Sequence, residues 1–301
     1  MQQNFSSNSE EKITLPPIHT LDKTELNFSR AFFQTAQTLY SYLQDIQLLS
    51  TSIFNISTEP YTIAIVSLFS KMIQSYYSYV LLEIHRERVG SQVLIEHLYS
   101  AAIALVYLLE NSEREFFEKY VSESIYQANI LVERIETQLQ SVSPNLELAL
   151  LCEWLKTFMS KSELLATNCQ LPNLTADLWH LETFDMTNQR AASMGLDFLS
   201  NPARQMVHKI TPGSWLDVRI NYFNAIRSRQ SELKKIDFQQ LRDASHLCLH
   251  ATKVFLEEVD CCADNKAEVQ RKQQSLSRFF EWFYQAHQVY SCHNDVSLEL
   301  N

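Results

Sequence analysis

Glycine occurs only three times in 301 residues, at Gly90, Gly195 and Gly213. An average composition of about 7% would supply roughly 21. A phosphate-cradling loop needs several glycines close together, because only a backbone without Cβ lets amide groups approach a pyrophosphate. Three isolated glycines exclude both the GxGxxG turn and the P-loop. Hairpin-rich β folds also depend on glycine at positive φ in their tight turns. A chain of stiff helices needs few such joints, and 46% hydrophobic with 20% charged residues fits a globular protein. The expected fold class is all-α.

The hydrophobic pattern supports this. Residues 1–20 are polar, rich in Ser and Asn, and end at Pro16-Pro17, which predicts a disordered, flexible N-terminal tail. From Leu21 to about Ser50, apolar residues such as Phe28, Phe32, Leu39, Leu43 and Ile46 recur at three- and four-residue steps. Thr58-Glu59-Pro60 opens a second helix, with Pro60 suited to its first turn. That helix is expected to run to about Arg88, and Gly90 to separate it from an apolar helix over Val93–Glu110. Ser112 and Glu115 form a capping-box pattern for a helix to about Gln140, and Ser143-Pro144 starts another to about Ala166. Shorter helical patterns lie near 187–199, 202–209 and 215–234, then long ones over Asp237–Cys261 and Asn265–Ser291. The reading is a multi-helix bundle of roughly eight to ten helices. It forms a single helical domain, 21–301, with a soft internal boundary near 167–186.

Tyr61–Ile84 is apolar over about the length that crosses a bilayer. Lys71, Gln74, Glu83 and four serines interrupt it, and a charge near a span's centre costs several kcal/mol in lipid. A buried core helix is expected instead, with no membrane partner. The first residues, MQQNFSSNSEEKITLPP, lack the basic and apolar regions of a signal peptide, so a cytoplasmic location is expected. The six cysteines contain no CxxC and are too sparse for a disulfide scaffold. They read as reduced, mostly buried side chains.

Net charge is −10, which argues against a general nucleic-acid coat. The charge is uneven, however. Between Asn201 and Lys235, seven basic residues face only Asp217 and Glu232, a local +5 that leaves −15 on the remainder.

Three constellations could carry function. Glu96-His97 lies within an apolar helix, where both groups would be desolvated or paired, and Glu83 and His85 on the preceding helix could complete a polar site. Arg204-x-x-x-His208 places a guanidinium and an imidazole on one helix face, with Trp215 and Tyr222 nearby. Such a pair could bind phosphate and transfer protons to cleave RNA. It could equally be part of a solvated basic face with Lys209, Arg219, Arg227 and Arg229. His246-x-x-x-His250 has the spacing that sets two imidazoles on one metal, but position 247 is leucine, so the HExxH form fails. No metal and no cofactor are expected. Cys261-Cys262 lies among Glu257, Glu258, Asp260 and Asp264, acidic neighbours that would raise a thiol pKa, and reads as structural.

The run Tyr79–Asn111, with Leu94-Ile95-Glu96 and Tyr107-Leu108-Leu109, resembles a family of bacterial helical proteins of unknown function. Leu199-Ser200 with Val207-His208 matches that family's downstream element, so the resemblance covers roughly residues 60–225. Gln92 stands where the family often has arginine. Similar helical proteins include the HEPN superfamily, which implies toxin or anti-phage roles and an RNA-cleaving Arg–His pair. Here Arg204 and His208 are one residue closer than that pattern.

The leading expectation is a cytoplasmic, all-helical binding or regulatory protein without chemistry of its own. Its partner would be a protein, homo-oligomers included, met through exposed aromatics and the basic 201–235 strip. The alternative is a HEPN-like ribonuclease acting on RNA through Arg204 and His208.

Overall fold

A computed structural model describes residues 13–18, 21, 25–54, 59–141, 146–163, 238–262 and 266–298. Among the described residues the protein is all-helical, with seven helices and no strand. They are α1 (Glu25–Phe54), α2 (Pro60–His85), α3 (Arg88–Glu110), α4 (Arg114–Ser141), α5 (Leu146–Glu163), α6 (Phe238–Cys262) and α7 (Lys266–Leu298). The helices expected at 187–199, 202–209 and 215–234, and the boundary at 167–186, lie outside the described residues. The chain divides into two compact units, Met1–Ala102 with Met206–Asn301, and Ile103–Gln205.

Local signals explain where the helices begin and end. Glu59 is extended (φ −72°, ψ 126°) and Pro60 occupies the start of α2, where its missing N–H is no loss. The end of α2 differs from expectation. Arg86 adopts the left-handed conformation (φ 60°, ψ 31°) and donates its N–H to the Glu83 carbonyl at 3.0 Å. The Glu87 N–H reaches the Leu82 carbonyl at 2.9 Å, which completes a Schellman turn. The joint between α2 and α3 is therefore Arg86, not Gly90. Gly90 lies inside α3, where a Cβ would come within 2.9 Å of Leu82 Cδ1. Its lack of a side chain lets the start of α3 approach α2, a packing role rather than a hinge. α3 closes at Asn111, whose side-chain amide donates to the Tyr107 carbonyl at 2.9 Å. α4 starts at Arg114, two residues beyond Ser112, so Glu115 complements the positive end of its first turn.

In the first unit α1 packs on α2, α6 and α7, while α6 packs on α2 and α7 as well. The three- and four-residue spacing of α1 turns Phe28, Phe32, Leu39, Leu43 and Ile46 inward together. Phe69 of α2 stacks on Phe255 of α6 at 4.1 Å, and Phe32 meets Phe283 of α7 edge-on at 5.2 Å. α2 keeps a solvent stripe through Ile63, Lys71, Gln74 and Tyr77 and buries its other sides, which is why its charges are tolerated. One hydroxyl pair is enclosed in this core: Tyr76 and Ser245 approach within 2.8 Å. Tyr42 of α1 likewise donates to the Lys272 carbonyl of α7 at 2.8 Å, and burial pushes its phenol well above its usual range.

Residues 13–18 fall in the segment expected to be a tail, and they are tied to α7. The Trp282 indole donates to the Pro16 carbonyl at 2.7 Å, and Arg278 donates to the Ile13 carbonyl at 3.0 Å.

In the second unit α4 and α5 form a helical pair. Val121, Ile125, Ala128, Val132 and Ile135 of α4 close on Cys152, Leu155 and Met159 of α5. Lys156 bridges to Glu136 at 2.7 Å beside this core. Among the described residues, Val93–Glu110 is the one stretch long and apolar enough to cross a membrane by length and composition, and 61% of it is buried within the protein.

Candidate functional site

The residues expected to form a polar site around α3 do not gather in the interior. Val93, His97 and Ser100 recur at helical spacing on the solvent side of α3, while Ile95, Leu98 and Tyr99 turn inward. His97 is exposed and Glu96 half-buried and engaged, because the rotation of about 100° per residue carries both off the face that holds Ile95 and Leu98. Glu83 is buried and engaged, whereas His85 is exposed in the last turn of α2, where a basic group suits the helix dipole. The expected binding-surface residues Arg204, His208, Lys209, Trp215, Arg219, Tyr222, Arg227 and Arg229 lie outside the described residues.

The polar groups that do converge lie between α6 and α7. Arg242 contacts Asp243 through Nε at 2.9 Å and Nη2 at 2.6 Å, and its Nη1 lies 2.9 Å from His287 Nδ1. A guanidinium can only donate, so His287 Nδ1 must accept, which leaves His287 neutral with its proton on Nε2. Burial and the Arg242 charge together lower the His287 pKa. His246 sits one turn along α6 from Arg242, with its ring 5.3 Å from Phe280 and 6.4 Å from Phe283. Burial, then Arg242, then His287 push its pKa down to about 4, against an opposing hydrogen bond to the Phe280 backbone. His246 Nε2 is buried and has no hydrogen-bond partner among the described residues. His250, two helical turns beyond Asp243, is half-buried and engaged.

Chemically, this cluster is a brace. The guanidinium is held by a carboxylate and an imidazole lone pair, and both imidazoles are kept neutral at physiological pH. Among the described residues no group of three or more His, Cys, Asp or Glu side chains is placed to hold a metal, so His246 and His250 lack further ligands there. Cys248 between them is fully buried, and burial drives its thiol pKa well up, away from reactivity.

The other feature is a surface. α5 turns Cys152, Leu155 and Met159 toward α4 and places a second apolar row opposite them. Leu146 is 73% exposed, Leu150 61% and Trp154 62%, and Phe158 continues the row. These four residues stand at steps of four, so they form one ridge along the helix. The Trp154 and Phe158 rings stack at 5.9 Å with only 14° between their planes. Leu151 and, on α4, Leu131 add further exposed apolar area. Scattered surface leucines are ordinary, but a contiguous patch with an exposed Trp at its centre is the signature of a contact surface. The row is hidden in the sequence because Leu146–Met159 is apolar on both faces. That excess over a single stripe was the available signal.

Comparison with protein-family models, curated proteins and solved structures finds no match to this chain.

Proposed function

We propose that this protein is an all-helical interaction protein, acting by binding another protein chain through the exposed face of α5 rather than by catalysis. The observation that carries this reading is the ridge of Leu146, Leu150, Trp154 and Phe158, apolar and solvent-facing on a helix whose opposite side already serves the α4 core. Burying an exposed Leu or Trp side chain is worth about 1.5–3 kcal/mol or more, so a few such residues suffice to anchor an interface. In the polar cluster at α6 and α7, Arg242, Asp243 and His287 satisfy one another instead of converging on open space, which supports the same reading.

Photo-crosslinking from position 150 in living cells tests it. The expected result is covalent adducts with a defined protein, either a second copy or another chain, that disappear on Trp154→Glu. Adducts no more abundant than those from the exposed position 140 on α4 would sink the reading.

A further inference from the structure

We propose that α5 pairs antiparallel with α5 of a second copy of this chain, about a two-fold axis at Trp154. This inference rests on the reading of α5 as a contact face and names its partner.

Glu147 lies seven residues before Trp154 and Lys161 seven residues after it. Seven residues are close to two helical turns, so all three share one side of the helix, and each charge stands about 10 Å along the axis from the tryptophan. Both charged residues are exposed, on the same face as the apolar ridge and away from the side that packs on α4.

A face built in this way is complementary to itself in one orientation. Turned antiparallel about Trp154, Leu150 of each copy meets Phe158 of the other. Glu147 of each copy then meets Lys161 of the other, and the two tryptophans meet at the centre. A two-fold interface requires this reciprocity, in which residue i contacts j and j contacts i. In a parallel pair, Glu147 would face Glu147 and Lys161 would face Lys161, and like charges flanking an apolar seam reject that orientation. The helix dipoles favour the antiparallel choice as well, because the negative end of one α5 lies beside the positive end of the other. The ridge is short, so the interface falls at the small end of specific contacts and the dimer is reversible.

Sedimentation equilibrium on the full chain, from low to high micromolar concentration, reads this directly. The expected mass rises with concentration from the 35.1 kDa monomer toward twice that value. Trp154→Glu holds the chain at the monomer mass. Glu147→Lys and Lys161→Glu each weaken association about tenfold, because each sets like charges at both ends of the seam. Combining the two substitutions exchanges the charges and restores association. All three positions are exposed, and far-ultraviolet circular dichroism of each variant confirms that the helices are retained. A wild-type chain that stays monomeric throughout overturns the inference. So does association untouched by Trp154→Glu, or a double variant no better than either single one. A monomeric chain that still crosslinks from position 150 to a different protein overturns only the dimer. Absence of any crosslink overturns the contact face along with it.

Discussion

The Tyr76 hydroxyl, on α2, lies 2.8 Å from Ser245 Oγ on α6, fully enclosed and 169 positions away along the chain. Ser245 spends its single hydrogen on the Leu241 carbonyl at 2.8 Å, so Tyr76 is the donor and Ser245 the relay. Burial drives the phenol pKa well up, which keeps that proton in place.

Ser245→Ala removes the acceptor of the Tyr76 hydroxyl and leaves a buried O–H stranded, at a cost of about 1–3 kcal/mol. In a Tyr76→Phe background the same substitution should be close to neutral, because no hydroxyl remains to be stranded. Urea denaturation of the four proteins in the cycle measures the coupling. Equal losses in both backgrounds would show that the two hydroxyls act independently.

Arg86 is the one non-glycine residue at positive φ among the described residues. The left-handed conformation costs an L-residue roughly 1–2 kcal/mol, while glycine there gives back part of the gain through its freer unfolded chain. Arg86→Gly should therefore stabilise the protein by about 0.5–1 kcal/mol, and Arg86→Ala should give no gain. A thermal melt compares the three proteins. A lower midpoint for the glycine variant would contradict the account of the α2–α3 joint.

The imidazoles at α6 and α7 predict the direction of the acid response. His246 titrates near 4 in the folded protein and His287 is shifted the same way, against an ordinary value of 6.5 when unfolded. The unfolded chain thus binds more protons between these values, so stability is full above about pH 6.5 and falls as the pH drops toward 4. Partial solvent screening limits the loss from His246 to roughly 2 kcal/mol. Denaturation midpoints measured from pH 7 to pH 4 should show this slope, and His246→Gln should flatten it. An unchanged slope in the variant would place the acid sensitivity elsewhere.

The helices were legible because apolar residues recur at three and four, and α6 and α7 start within a residue of where Asp237 and Asn265 indicate. The α2–α3 joint was misread for a physical reason. Glycine is the usual left-handed residue, yet here the Schellman hydrogen bonds hold Arg86 in that conformation and Gly90 serves close packing. Of the site, the spacing of His246 and His250 was visible, but not what surrounds them. His287 and Phe280 reach His246 from α7, and no local pattern announces a contact between helices. Glu96 and His97 looked buried because a run of apolar letters hides which way each residue of a helix faces.

The core that joins α1 and α2 to α6 and α7 is assembled from two stretches of chain separated by more than 150 residues. During synthesis, Phe69 and Tyr76 leave the ribosome long before Phe255 and Ser245 can cover them. The nascent α1–α2 pair must therefore carry its apolar face uncovered while the α4–α5 pair, whose contacts are close in sequence, is already able to close.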